Sequence, residues 1–205
     1  MKNMIPDLTV YGNIPDAKEK LMLLSRDITE YIPTLSDILS ENTALSDYKI
    51  LYSTGSTMYR GYFCPDPYEE RIVGNVKRGK LSEKKKTGKH IHEYIFNFNN
   101  ELIKVNEYKN GEILSEEKIT RQDNIEHSLL WSCGLLSVFT ECVYDGENRI
   151  KLFTRCLLNP VSHEVVEIEQ YVFRYSDNGK TECIHGRACL YGADVYIGKP
   201  SIFKA

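Results

Sequence analysis

The chain has 205 residues, of which 26 are basic and 29 are acidic, so its formal net charge at pH 7 is −3. A charge this close to balance selects no partner and gives no support to binding of nucleic acid. The hydrophobic fraction of 41%, with 14 Tyr and 7 Phe, is ordinary for a folded protein. A chain of this length can bury about 70% of its unfolded surface, so a sizeable core is expected.

Neither a membrane segment nor a disulfide framework is indicated. No apolar run reaches the roughly 18 residues of a membrane helix, and no charged start leads into a short apolar stretch. The six cysteines form no Cys-x-x-Cys pair and show no zinc spacing. Because they lie mostly in strand-like segments, free buried thiols are the favoured interpretation. We therefore expect a soluble, cytoplasmic protein that does not associate with membranes.

The first 46 residues form the predicted helical segment. Apolar residues recur at three- and four-residue spacings after Pro15, which is typical of an amphipathic helix. Pro33 is expected to interrupt this helix, and residues 34–39 are predicted to form a second, shorter helix with its own cap. Both apolar stripes need a surface to cover, and the sheet predicted downstream provides one.

The clearest local folding signal lies at residues 90–120. Histidine and aromatic side chains alternate with other residues from His90 to Phe98, and this period of two predicts a strand with two unlike faces. Asn110 and Gly111 both tolerate positive φ, so they predict a type I′ hairpin turn. The sequence Asn-Glu-Tyr-Lys-Asn-Gly at 106–111 resembles the tyrosine- and glycine-rich hairpins of YD/Rhs-type repeats and of some small bacterial immunity proteins. This resemblance covers only a few hairpins.

Other strands are predicted from alternation and from flanking turn residues. They are 48–53, 57–64, 71–80, 139–144, 149–158, 165–175 and 180–191. Residues 84–86 are three lysines in a predicted loop, residues 121–126 are a predicted polar connection, and the apolar run 128–138 fits either a helix or a buried strand.

The predicted fold is mainly β (α+β). We expect one domain over residues 1–205, with the helical segment at 1–46 and an antiparallel meander sheet at 47–205. The sheet should contain about eight to ten strands and be curved or barrel-like, because large sheets twist too strongly to stay flat. The helices should pack on one face or at one end.

Two rows of aromatic residues have the same order of residue types and are candidates for either core or ligand contacts. If the sheet closed, its concave side could be a cavity for a small apolar ligand. His185 and Arg187 alternate with Cys183 and Cys189 along one predicted strand. The candidate ligand-binding residues are Tyr94, Phe96, Phe98, Tyr171, Phe173, Tyr175, His185 and Arg187.

Metal binding and catalysis have weaker signals. His90 and His92 would lie on one face of a strand and resemble the His-x-His motif of cupins, but the cupin glutamate and second histidine motif are missing. No catalytic residue and no cofactor are therefore assigned. A Cys/His or metal-dependent enzyme would need several histidines to converge with a thiol or carboxylate. The histidines are His90, His92, His127, His163 and His185.

Clustered charges are explained most simply by solvent exposure. The lysine-rich loop around residues 84–86 has no interleaved aromatics for nucleic acid. Two groups of glutamates are assigned to solvated strand faces rather than to paired catalytic carboxylates. They are Glu112, Glu116 and Glu117, and Glu164, Glu167 and Glu169.

Three functional hypotheses follow. The leading one is a non-enzymatic binding protein, in particular an immunity-type protein or another protein-interaction module, because no catalytic constellation is found and charged hairpins can present a specific surface. The alternatives are a β-barrel that binds a small apolar ligand and a Cys/His or metal-dependent enzyme. The expected partner is a protein or a small apolar molecule.

Overall fold

The chain is mainly β in the computed structural model, which describes residues 17–42, 49–54, 58–65, 78–85, 87–177, 181–191, 194–199 and 201–204. In this part of the chain there is one α-helix, α1 (Ala17–Asn42), with eleven strands. The strands are β1 (Lys49–Thr54), β2 (His90–Phe96), β3 (Leu102–Lys109), β4 (Glu112–Gln122), β5 (Ile125–Ser132), β6 (Leu135–Tyr144), β7 (Ile150–Leu158), β8 (Val165–Tyr175), β9 (Thr181–Tyr191), β10 (Asp194–Ile197) and β11 (Ser201–Lys204). Over the described ranges, no helix has both the length and the apolar character needed to span a bilayer.

The strands follow one another in the sheet in the order of the sequence. Each strand from β1 to β10 neighbours the next, and β11 pairs with β9 beside β10. The predicted antiparallel meander and the mainly β fold class are therefore confirmed. The strand order is an open path that runs from β1 to β10.

The chain divides into two compact units. Unit 1 comprises Met1–Leu35, Arg121–His127 and Ser137–Ala205, and unit 2 comprises Ser36–Thr120 and Ser128–Leu136.

Helix α1 packs on the strands of unit 1 through an apolar stripe. Leu21, Ile28 and Leu35 are completely buried, and the Tyr31 ring lies edge-on to His127 of β5 at 5.5 Å. The prediction that Pro33 interrupts the helix is wrong, because α1 continues through this residue to Asn42. The reason is energetic: proline inside a helix costs about 3 kcal/mol, whereas each buried apolar side chain contributes about 1.5–3 kcal/mol.

Unit 2 has its core on one face of β1–β4. Its buried side chains are Tyr94, Phe96, Val105 and Ile119. The segment Met58–Pro65 covers this core, since the Phe63 ring lies 4.8 Å from Tyr94 and 5.5 Å from Phe96.

The predicted strand at 57–64 is wrong. The described residues of this segment form turns and a short 3-10 helix, Gly61–Phe63. Arg60 and Gly61 have φ of 55° and 56°, which no strand can accommodate. Strand β1 pairs instead with β2, so that Ser53 faces His92. Most of the strand predicted at 71–80 lies outside the described residues.

Strand β5 is bounded by a tight turn at each end, which the sequence did not predict. The polar connection predicted at 121–126 is limited to a turn at Asp123 and Asn124. The apolar run 128–138 is neither one helix nor one strand, because Cys133 and Gly134 turn the chain between β5 and β6 with φ of 50° and 81°. Asn110 and Gly111, with φ of 54° and 90°, form the predicted hairpin turn.

Candidate functional site

Three neighbouring strands of unit 1 present charged side chains on one face. The register pairs Arg155 of β7 with Glu169 of β8, and Glu169 with Arg187 of β9. Residues that pair across strands share a face, and so do alternate residues along a strand. Glu167 and His185 therefore lie on the same face. We call Arg155, Glu167, Glu169, His185 and Arg187 the charged face.

Glu169 is the centre of the charged face. Arg155 donates from Nη2 to its Oε2 at 2.6 Å, and His185 Nε2 lies 3.0 Å from its Oε1. Burial by itself would raise the pKa of Glu169, but the hydrogen bond from His185 and the charge of Arg155 outweigh it and lower the pKa to about 2. Glu169 is therefore ionised at neutral pH.

The second carboxylate on this face is also bonded to an arginine. Arg187 donates from Nη2 to Oε2 of Glu167 at 2.7 Å, and this hydrogen bond raises the pKa of the guanidinium. The Cys189 thiol lies 3.8 Å from the same oxygen. The charged side chains of this face are thus held in place by one another.

An aromatic ladder fixes the orientation of His185. The Tyr171 ring stacks on the imidazole with centroids 4.6 Å apart and 19° between the planes, and Phe153 lies 6.1 Å beyond Tyr171. With Glu169 at one nitrogen and a ring against its face, the imidazole has little rotational freedom.

An exposed tyrosine pair adjoins the charged face. Tyr196 of β10 pairs with Cys189 of β9, and Tyr191 lies four residues after Arg187, so both tyrosines share the face of Arg187. Their rings meet edge to face at 6.0 Å. Tyr191 and Tyr196 are 66% and 64% exposed, respectively. Sequence analysis missed both, although Tyr191 does continue the alternation that starts at Cys183.

The structure brings together only some of the predicted ligand-binding residues. Tyr171 stacks on His185, and Arg187 lies on the same face of the sheet. Phe173 is buried, and the half-buried Tyr175 donates its hydroxyl to the Ile150 carbonyl at 2.7 Å. The Cys183 side chain is buried.

The other aromatic row lies in unit 2 and has a different environment. The buried Tyr94 hydroxyl lies 2.7 Å from Ser53 Oγ and accepts the Tyr62 N–H at 2.8 Å; burial raises its pKa to about 12. Phe96 belongs to the core. Phe98 lies in a turn beyond β2 and is 73% exposed.

Three of the histidines, His90, His127 and His185, lie beside three different carboxylates. His90 Nδ1 is 3.5 Å from Glu107, and His127 Nε2 is 2.9 Å from the buried Glu141. The buried His92 ring stacks on Tyr94, and burial lowers its pKa. Across the residues that the structure describes, no three His, Cys, Asp or Glu side chains are grouped to hold a metal ion.

A buried ion pair in unit 2 was not predicted. Arg60 donates from Nε to Oε2 of Glu117 at 2.9 Å and from Nη2 to Oε1 at 2.8 Å. Ser128 and Tyr59 also donate to Oε1. Burial first, and then the charge of Glu117, raise the pKa of Tyr59 well above its ordinary value. The prediction that Glu117 lies on a solvated face is therefore wrong, because its side chain is 2% exposed.

A chain of three polar groups in unit 1 was also missed. Tyr31 Oη lies 3.4 Å from His127 Nδ1, and the opposite ring nitrogen of His127 faces Glu141. Burial and the charge of Glu141 raise the pKa of Tyr31, so its phenol keeps its proton. The residues are distant in sequence, which is why no local pattern marks them.

Comparisons with models of protein families, with curated proteins and with solved structures find no significant match to this chain.

Proposed function

We propose that this chain is a cytoplasmic, non-enzymatic binding protein that recognises a protein partner through the charged face and the adjoining tyrosine pair. The observation that supports this proposal best is the pair of exposed rings, Tyr191 and Tyr196, on the same face as the ordered Arg187. An immunity-type protein, which blocks the action of its partner, is the particular form of the proposal.

The residue types on this surface are those that contribute most to protein interfaces. Tyrosine and arginine are enriched among the few side chains that supply most of the binding free energy. Ordering a long side chain at an interface costs about 0.5–1.5 kcal/mol. Because Arg187 is already held by Glu167, part of that cost is met before binding.

The test measures binding to the protein encoded next to this chain's gene. We expect the two proteins to co-purify, and Tyr191→Ala and Tyr196→Ala each to weaken the affinity by about tenfold or more, as truncation of an interface hot spot does. Phe98→Ala is the matched control, since it removes an exposed aromatic ring from unit 2. Isothermal titration calorimetry gives the dissociation constants.

Two results would contradict the proposal. One is the failure of any product of a neighbouring gene to bind. The other is a partner that binds both tyrosine variants with the same affinity as the unaltered protein. Two alternatives were predicted, a barrel that binds an apolar ligand and a Cys/His or metal-dependent enzyme. Among the described residues, no contact favours either of them over a protein-binding surface.

A further inference from the structure

A second surface feature lies in unit 2, where the first residues of β4 lie beside Trp131 and the turn between β5 and β6. It is a groove of about 390 Å³ around the only tryptophan of the chain, and we call it the Trp131 groove. Its lining residues are Ile113, Leu114, Ser115, Glu116, Lys118, Trp131 and Gly134.

The groove has an apolar rim that is open to solvent. Ile113 is 55% exposed, and Leu135, next to the lining residue Gly134, is also 55% exposed. The Trp131 ring is itself half-buried. Large apolar side chains that cluster at one exposed place mark interaction sites more often than single ones do, and tryptophan is the residue type most enriched among binding hot spots.

The charge of the groove is positive. Glu116 is neutralised by Lys104, whose Nζ lies 2.6 Å from its Oε2. Lys118 has no such partner: its Nζ lies 5.4 Å from the Trp131 ring centroid, and no carboxylate of the described residues is within ion-pair distance of it. One ammonium group therefore remains beside an apolar surface.

From this combination we propose that the Trp131 groove binds an acidic, apolar segment of a protein partner. An apolar side chain of that segment would pack against Trp131 and Ile113, and a neighbouring carboxylate would pair with Lys118. The groove shares no residue with the charged face, so this inference goes beyond the proposed function, and the two can fail separately.

The sole tryptophan makes the test direct, because its fluorescence reports on the groove alone. The probes are two blocked hexapeptides with a central leucine–phenylalanine pair, one flanked by two aspartates on each side and the other by two lysines. We expect the acidic peptide to shift the Trp131 emission to shorter wavelength in a saturable manner. The lysine peptide should produce no saturable shift.

Variants of surface lysines identify the charge that matters. Lys118→Glu should weaken binding of the acidic peptide on the order of tenfold, because it replaces attraction by repulsion. Lys151→Glu makes the same charge change at an exposed position of unit 1 and should leave the dissociation constant unchanged. Circular dichroism verifies that both variants fold. If Lys118→Glu does not fold, Lys118→Gln replaces it, together with a salt titration of the unaltered protein. The affinity for the acidic peptide must then fall in the Lys118→Gln variant, and it must fall in the unaltered protein as salt is added.

Three results would overturn the inference. Equal binding of both peptides would show that charge plays no part. An unchanged dissociation constant for the Lys118 variant would remove the assigned contact. A Trp131 emission that depends on protein concentration, with dimers in sedimentation, would assign the groove to a second copy of this chain.

Discussion

At the scale of single residues, unit 2 contains a buried ion pair between Arg60 and Glu117. Both side chains are 2% exposed, and both carboxylate oxygens accept hydrogen bonds from the guanidinium. Removing two charges from water is costly, and only a well-formed pair offsets that cost. Loss of one partner therefore leaves the other charge buried without the hydrogen bonds of this pair.

We predict that Glu117→Gln lowers the free energy of unfolding by about 3–5 kcal/mol, because the buried Arg60 guanidinium would lose the carboxylate that accepts two of its hydrogen bonds. Urea unfolding followed by circular dichroism measures the change. Glu112→Gln is the control, since Glu112 is exposed on the same strand and its replacement should cost less than about 0.5 kcal/mol. A cost below about 1 kcal/mol for Glu117→Gln would contradict the buried pair.

Glu169 makes stability depend on pH in the acid range. Its pKa is about 2 in the folded protein against an ordinary value of 4.5. A lowered folded-state pKa stabilises the protein above the unfolded-state pKa, and this stabilisation is lost as the pH falls from 4.5 through 2. The shift corresponds to a contribution on the order of 3 kcal/mol.

We therefore predict that Glu169→Gln is most destabilising above about pH 5, and that the difference from the unaltered protein shrinks toward about pH 2. Urea unfolding at a series of pH values measures both proteins. Glu164→Gln, an exposed replacement in the loop before β8, should show no such convergence. A difference that stays constant with pH would mean that His185 and Arg155 do not hold the carboxylate ionised.

At the scale of helices and strands, local sequence signals predicted the hairpins whose turn residues favour positive φ. Asn110 and Gly111 both favour positive φ, and their turn is where the sequence places it. Cys133 and Gly134 form a turn of the same kind, but cysteine has no preference for positive φ, so the run 128–138 showed no break.

The segment Met58–Pro65 shows why a local strand prediction can fail. A strand is predicted at residues 57–64, yet Arg60 and Gly61 adopt positive φ and the segment covers the unit 2 core instead. This arrangement requires glycine at position 61, because a Cβ there would lie 2.6 Å from Tyr94 Oη. That constraint comes from residues more than 30 positions away, which no local pattern contains.

Helix α1 gives a prediction about Pro33. The proline is exposed in the helix interior and removes one backbone donor, so its replacement should stabilise the protein. We expect Pro33→Ala to raise the free energy of unfolding by about 1–3 kcal/mol. Thr34→Ala, at the next exposed helical position, should raise it by about 0.5 kcal/mol at most. Chemical denaturation compares the three proteins, and a destabilised Pro33 variant would show that the ring makes favourable contacts.

At the scale of the whole molecule, the sequence predicted the meander and part of the candidate site. Alternation along β9 placed His185 and Arg187 on one face, but their partners Glu169 and Glu167 follow only from the register between β8 and β9. That register depends on long-range packing. The position of Tyr196 on this face likewise follows only from the pairing of β10 with β9, and β10 is only four residues long.

The predicted single domain has a direct thermodynamic test. One domain unfolds in one cooperative transition, so far-UV circular dichroism and Trp131 fluorescence should give the same midpoint. Ile28→Ala in unit 1 and Ile119→Ala in unit 2 should each cost about 2–5 kcal/mol and shift both signals together. Two separate midpoints, with each variant moving one of them, would show two domains instead.

The turn between β5 and β6 also provides a site for covalent labelling, Cys133. Of the six cysteine side chains, that of Cys133 is exposed, four are buried, and that of Cys189 is half-buried. An alkylating reagent should therefore modify Cys133 first, because access governs thiol reactivity at comparable thiolate fractions. An environment-sensitive dye attached there would sit two residues from Trp131, so its own emission should change when the groove is occupied.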